Sequence, residues 1–311
     1  MKFSGQIPTD QVTNGAEWIG APAIGEIARA LEAADFDAGY ATEHPFPPDA
    51  WLRAGGHHAL DAFVALAVAA SATQRLRLHT NILVLPYRNP FLTAKAVASL
   101  DAVSGGRVIL GVAAGYLEAE YRALGADFER RNPLADDALF AMKRAWSGDS
   151  VEWDGPGYRA VGNRMLPTPV QQPHPPIWIG GNSRRAAQRA ARHGQGWSPF
   201  PVSAAVGRHT RTAPIESIEE LAARIRELGD QAREVGRSEL LDVNFVPFGL
   251  RMSPTSMPDP DAFCEQGVRL EEIGVTWLSI GLPCPSRAGF REHAAGFGEQ
   301  VIARIRRSAR R

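Results

Sequence analysis

Short runs of β-branched and aromatic residues alternate along this chain with longer stretches whose apolar residues recur every three or four positions. A period of two marks strands and a period of 3.6 marks helices. Read this way, Phe3–Ile7, Asp37–Thr42, Leu76–Val84 and Arg107–Val112 are the first four strands. Ala23–Ala34, a stretch from Leu60 to Ser71, and Pro90–Val103 are the helices between them, with Pro90 tolerated in a first turn. An irregular stretch, Ala113–Asn132, leads to a helix over Leu134–Trp146 and a hairpin over Val151–Leu166 that turns at Gly155-Pro156-Gly157. Ile177–Gly181, Gly196–Phe200, Leu241–Phe248 and Thr276–Leu282 follow as strands five to eight. Helices are expected over Ser183–His193, from a capping box at Ser217 and Glu220, over Asp261–Ile273 and over Ala288–Arg306.

Strands that alternate with helices build parallel sheets, and eight such pairs close into a (β/α)8 barrel. The alternative is a doubly wound open sheet with the strands miscounted. The expected organisation is one barrel domain over residues 1–311. Val202–Pro214 and Arg251–Pro260 fit no element and follow strands, so they are expected at the barrel mouth as lids or as plain surface loops.

Composition removes several function classes. Lys plus Arg equals Asp plus Glu at 34 each. No basic excess suggests a nucleic-acid surface, and the arginines at the extreme C-terminus read as a solvated helix end. No apolar run is long enough to span a membrane, and no signal-peptide pattern opens the chain. Two isolated cysteines, Cys264 and Cys284, suit a reducing compartment, so the cytoplasm is expected. His57-His58 lack a third ligand at a recognisable spacing, so no metal site is expected.

In such a barrel the chemistry gathers at the C-terminal strand ends. Glu43-His44 leave the second strand, where a Glu–His pair suits proton transfer or a hydrogen bond to a polar cofactor, or serves as a polar cap. Thr80 and Asn81 suit the carbonyl and nitrogen edge of a ring, or are ordinary strand polarity. Gly111, Ala113 and Gly115 do not make a dinucleotide fingerprint, but Gly115 lets the backbone approach a ligand. Gly180-Gly181-Asn182-Ser183 run from a strand straight into a helix. Free amides there, with a hydroxyl and Arg184, make a phosphate cradle, or a tight turn with Asn182 or Ser183 as cap. Tyr116, Trp178 and Trp197 are expected in the pocket wall, although aromatics are more often core.

These segments resemble the luciferase-like monooxygenase superfamily, in particular its branch that depends on coenzyme F420. The likeness is carried by Tyr40-Ala41-Thr42-Glu43-His44, by residues 78–90 from Leu78 to Pro90, by residues 104–116 from Ser104 to Tyr116, by Phe128-Glu129-Arg130-Arg131, and by Pro176–Gly181. It spans roughly the first 200 residues. The resemblance implies a flavin or deazaflavin ring in the barrel mouth and, as in many members, a homodimer. It places His44 near the reactive ring face and backs the ring with Asn81 and Ile82 across a non-prolyl cis peptide. It places the phosphate on Gly180, Gly181, Asn182 and Ser183. Where sugar-phosphate dehydrogenases of that branch carry a glutamate acid, this chain has Tyr116, with Glu118 and Glu120 nearby. A phenol with a pKa near ~10 is a weak acid at neutral pH.

The expected activity is hydride transfer or monooxygenation of a small organic substrate, with F420 favoured. An FMN-dependent monooxygenase served by a separate reductase is the rival. A barrel hydrolase or isomerase would need paired carboxylates or a metal cluster, and a non-catalytic flavin-binding barrel would bind cofactor without turnover.

Overall fold

The computed structural model describes residues 1–209, 211–249, 257 and 259–308. Eight of its strands pair edge to edge in parallel until the first meets the last. In chain order these are β1 (Lys2–Gln6), β2 (Ala38–Ala41), β3 (Arg77–Val84), β4 (Val108–Ala113), β7 (Ile177–Gly180), β8 (Gly196–Ser198), β9 (Asp242–Phe245) and β10 (Trp277–Ile280). β1 closes the ring by pairing with β10 through Phe3 opposite Leu278. β5 (Val151–Gly155) and β6 (Tyr158–Asn163) form a separate antiparallel hairpin inserted before β7. The barrel is therefore the architecture, and the open sheet is excluded by closure.

The expected helices form with shifts of up to three residues at their ends, and their caps explain the boundaries. Asp61 accepts from the Phe63 and Val64 amides to start Ala62–Ala72. Asn89 accepts from Phe91 to start Pro90–Ser104, which ends at Gly105 with φ +70°. A left-handed residue closes a helix well, and glycine reaches it without strain. The capping box at Ser217 is half made: Ser217 Oγ accepts from the Glu220 amide, but the Glu220 carboxylate accepts from Glu216 rather than Ser217.

Three expectations are corrected. Ala113–Asn132 is not irregular throughout: it carries helix Glu118–Ala123, and Arg131 already opens the helix that ends at Trp146. Val202–Pro214 is not structureless, since it holds helix Ala204–His209 and a bridge between Val202 and Ile215. The last helix is broken in two, Arg287–Phe297 and Ala303–Ser308, by a π-helical turn at Gly298–Ile302. Of the Arg251–Pro260 loop, residues 251–256 and 258 lie outside the described residues.

The barrel interior is filled in layers. At the lower end, Ala38, Ile109, Trp178 and Trp277 pack together. His79 lies above them, fully buried, edge-on to Trp178 and bonded to Ser4 through Nδ1 at 3.1 Å. Burial pushes its imidazole down to about 3, and the nearby Arg77 pushes the same way, so the ring is neutral. Among the described residues no helix is long and apolar enough to cross a membrane.

Helices Ala62–Ala72 and Pro90–Ser104 pack against each other on the outside of the barrel. Ala62–Ala72 contains no charged residue, and its outward side presents Val64, 63% exposed, and Ala67. Its neighbour adds Leu92, 72% exposed, and Val103, 73% exposed. A helix apolar around its whole circumference is normally buried on all sides.

Candidate active site

Above the aromatic layer, the inward positions of four strands carry short polar side chains. Asn81 Nδ2 on β3 reaches Ser279 Oγ on β10 at 3.5 Å, Ser279 Oγ donates to Asn244 Oδ1 on β9 at 3.0 Å, and Asn244 Nδ2 donates to Ser198 Oγ on β8 at 2.8 Å. This chain of amides and hydroxyls lies at the base of a cavity of about 360 Å³, which Asn81, Ser198 and Asn244 line. Alternation along a strand sends every second residue inward. A polar residue at such a position in Trp277-Leu278-Ser279-Ile280 or Asp242-Val243-Asn244-Phe245 was the available sequence signal.

Ile82, Val84, Ala113 and Ala114, from β3 and β4 and the residue after it, give the cavity an apolar wall, and Val246 adds an apolar side chain from beyond β9. The Asn81–Ile82 peptide bond is cis, as the resemblance implied. A Cβ on Gly180 would overlap Ile82 Cδ1, and one on Gly115, at φ +71°, would lie 2.6 Å from Val84 Cγ1. The Ile82 and Val84 side chains occupy the space beside these glycines, and Gly115 also has a left-handed φ that glycine reaches without strain.

His44, His57 and Tyr116 also line the cavity. The His44 ring lies 4.4 Å from Trp51, tilted by 40°, and 5.0 Å from His57, edge to face. Its Nδ1 lies 3.4 Å from Glu120 Oε2. The same carboxylate accepts from Tyr87 Oη at 3.0 Å and, through Oε1, from the Phe46 amide at 2.9 Å. Glu120 is 1% exposed, and burial alone would raise its pKa. The bonds from His44, Phe46 and Tyr87 outweigh burial and hold it below the ordinary carboxylate range. Burial and the charge of Glu120 raise the Tyr116 phenol above its usual value. Tyr116 is thus a hydrogen-bond donor at neutral pH rather than a source of protons.

Part of the cavity lining is cationic. Arg131, Arg189 and Arg211 line it together with Ser183, Asn132 and Gly181. Arg189, 6% exposed, is held by Asp136 at 2.5 Å and by Asn132. The guanidinium carbons of Arg131 and Arg211 lie 4.0 Å and 4.7 Å from the Phe128 ring centre. Arg211 also meets Glu118 at 3.4 Å, whereas among the described residues no carboxylate pairs with Arg131. None of the three arginines follows from strand-end reasoning: Arg131 opens one helix, Arg189 sits in the middle of another, and Arg211 comes from the loop after β8.

His44, Tyr116, Asn81, Ile82, Gly115, Gly180, Gly181 and Ser183 are all brought to the one cavity. Ser183 Oγ caps the helix that follows by accepting from the Ala186 amide. Glu43 also lies at the cavity, but its carboxylate is taken by the Val84 amide at 2.9 Å and by an ion pair with Arg88. It braces β2 against the segment after β3.

Two other predicted site residues, Thr80 and Asn182, do not line the cavity. Thr80 is fully buried and donates to the Gly111 carbonyl at 2.9 Å, so its hydroxyl is spent inside the wall. Asn182 is 1% exposed: it donates to the Phe200 and Ala213 carbonyls and accepts from the Phe200 amide. Its side chain ties the turn after β7 to the segments at Phe200 and Ala213. Trp178 belongs to the lower layer, and Trp197 turns its indole to the Gly181 carbonyl, so neither walls the cavity.

A flavin-type group fits this chamber. The polar base can meet the carbonyls and nitrogens of a ring edge, the apolar wall can take its face, and the arginine lining can take an anionic tail. Thr42 Oγ1, in the cavity wall, is buried and has no protein partner. A buried hydroxyl in that state calls for one from a ligand or water. Among the described residues no cluster of metal-ligating side chains occurs.

Residues 1–250 match the model of the luciferase-like monooxygenase family. Over 187 residues, 58% of this chain and 54% of the relative, the sequence is 32% identical to an F420-dependent glucose-6-phosphate dehydrogenase of Nocardia farcinica. It is 34% identical over 125 residues, 39% of this chain and 34% of the relative, to an FMNH2-dependent dimethylsulfone monooxygenase of Pseudomonas putida. The solved structure of a monooxygenase of Streptomyces bottropensis superposes with a TM-score of 0.77 at 21% identity, over 98% of this chain and 99% of its own. With a family match over most of its length, this chain belongs to the luciferase-like monooxygenases, a family of oxidoreductases.

Proposed function

We propose that this protein is an F420-dependent oxidoreductase acting on a small organic substrate, in the cytoplasm. The observation that carries this reading is the cationic lining of the cavity, where Arg131, Arg189 and Arg211 converge beside Ser183 and Gly181. The tail of F420 bears a phosphodiester and further carboxylates, and three guanidiniums suit that charge better than one FMN phosphate. The likeness to the Nocardia farcinica enzyme supports the same choice.

When bound, the deazaflavin supplies hydride exchange with the substrate. The chain's own residues bind and orient. Ile82 backs the ring, Asn81, Ser198 and Asn244 bond its polar edge, and the arginines with the Gly181 turn hold the tail. His44 accepts or returns the substrate proton, since an imidazole nitrogen carries either a lone pair or a proton. Tyr116 orients a substrate oxygen by hydrogen bonding.

The rival is an FMN monooxygenase supplied by a separate reductase, favoured by the likeness to the dimethylsulfone monooxygenase. Titration of the purified protein with each cofactor, followed by absorbance and fluorescence, separates them. The expected result is saturable F420 binding at least about tenfold tighter than FMN, a difference of ~1.4 kcal/mol. Tight binding of FMN alone overturns the assignment.

The exposed apolar side chains Val64, Leu92 and Val103, with Lys95 exposed beside them, support a homodimer formed through helices Ala62–Ala72 and Pro90–Ser104. Glutamate at both Val64 and Leu92 would bury uncompensated charge in such an interface. The double variant is expected to sediment as a monomer under conditions where the unmodified chain sediments as a dimer. An unmodified chain that is monomeric at tens of micromolar sinks the idea.

A further inference from the structure

We propose that Glu120 is a positioning residue that fixes His44 as its Nδ1–H tautomer, leaving Nε2 as the proton-accepting atom of the site.

The Phe46 amide can only donate, and it points at Glu120 Oε1 at 2.9 Å. Tyr87 Oη donates to Oε2 at 3.0 Å. A carboxyl meeting two donors in a buried site is held as the carboxylate, and a carboxylate has no proton to give. His44 Nδ1, at 3.4 Å from the same Oε2, must therefore be the donor. A neutral imidazole with its proton on Nδ1 carries its lone pair on Nε2. No group among the described residues hydrogen-bonds Nε2, and the ring lines the cavity. The other groups facing the imidazole are Trp51 and His57, and neither competes for Nδ1. His57 turns its own Nδ1 to the His58 carbonyl at 2.8 Å.

Chain layout shows why the sequence hides this. Glu120 lies 76 residues after His44, on the short helix Glu118–Ala123. Its neighbour Glu118 is exposed and meets Arg211 instead. Only the helix phase, which turns position 120 inward, distinguishes the two carboxylates. The carboxylate also ties down the backbone at Phe46, two residues beyond the histidine, so ring and chain are fixed together.

Glu120→Gln tests this sharply because the amide has nearly the same shape. Its single carbonyl oxygen must serve the Phe46 amide, which leaves the NH2 end facing Tyr87 and His44. Tyr87 Oη can accept from one N–H, and His44 Nδ1 must accept from the other. The substitution therefore transfers the imidazole proton to Nε2 and removes the acceptor from the site.

The measurement is two-bond 1H–15N correlation NMR of the histidine rings in the full-length protein, at a pH where His44 is neutral, with His44→Gln used for assignment. The expected result is Nδ1 protonated and Nε2 bare in the unmodified protein, the reverse in Glu120→Gln, and no change in Tyr87→Phe, which keeps the carboxylate. An Nε2–H tautomer in the unmodified protein overturns the proposal even if the variant does not fold. So does a Glu120→Gln protein that retains Nδ1–H. The use of this tautomer in catalysis rests on the proposed function, but the NMR readout needs no cofactor. A protein that showed the tautomer switch yet bound neither F420 nor FMN would uphold the proposal and remove the functional reading alone.

Discussion

Gly111→Ala is expected to lower the melting temperature by about 6–12 °C. Gly111 lies mid-strand in β4, beside the register shift of β3 between Thr80 and Leu83. A Cβ at Gly111 would overlap the Thr80 carbonyl oxygen and lie 3.1 Å from His79 Nε2. That oxygen belongs to the sheet backbone, and the adjoining Thr80 hydroxyl is anchored to the Gly111 carbonyl. Neither atom can move aside as a flexible side chain would. Overpacking commonly costs 1–3 kcal/mol, and a clash with immobile backbone belongs at about 3 kcal/mol. At roughly 2–4 °C per kcal/mol for a chain of this size, the stated range follows. Gly296→Ala is the control. It lies inside helix Arg287–Phe297 with open space where a Cβ would go, so alanine is expected to stabilise by about 0.5–1 kcal/mol. Calorimetric melts of both variants decide the matter. A Gly111→Ala protein melting within about 2 °C of the unmodified chain would show that the β3–β4 contact yields more readily than its geometry implies.

Arg131→Ala is expected to weaken F420 binding by about ten- to a hundredfold. A charge-assisted hydrogen bond is worth about 1.5–3 kcal/mol, and each 1.4 kcal/mol is a factor of ten in affinity. Arg131 is the sharpest choice of the three cationic residues. No described carboxylate neutralises it, and its stacking on Phe128 holds the guanidinium at the cavity without a competing charge. Arg189 is already paired with Asp136, so its removal would mix lost ligand contacts with a disturbed ion pair. Binding in Arg131→Ala is also expected to depend less on ionic strength, because one ligand-facing charge is gone. Arg144→Ala, on the exposed side of the same helix, is expected to leave the dissociation constant within a factor of two. Fluorescence titrations at two salt concentrations provide the comparison. Equal affinity in Arg131→Ala and the unmodified protein would remove the cationic lining from the binding site and, with it, the main ground for preferring F420 over FMN.

Much of the molecule was legible in one dimension because the information is local. Eight strand-and-helix repeats follow from hydrophobic periods, and a parallel sheet of eight strands closes by geometry. Glycine turns after β4 and β7, the Glu43-His44 exit and the Asn81–Ile82 pair are adjacent-residue patterns, so they led to the right end of the barrel and to one cavity. Tertiary structure alone decided how each polar group is spent. Thr80 and Asn182 looked like ligands by position, yet their side chains bond to partners distant along the chain, Gly111 for one and Phe200 and Ala213 for the other. Glu118 and Glu120 are nearly indistinguishable as letters. Helix phase exposes the first and buries the second against His44, Tyr87 and Phe46. The three arginines come from separate segments and converge only when the barrel closes. Sequence spacing fixes which element a residue belongs to; which atoms it meets depends on contacts between segments far apart in the chain, and those exist only in the folded molecule.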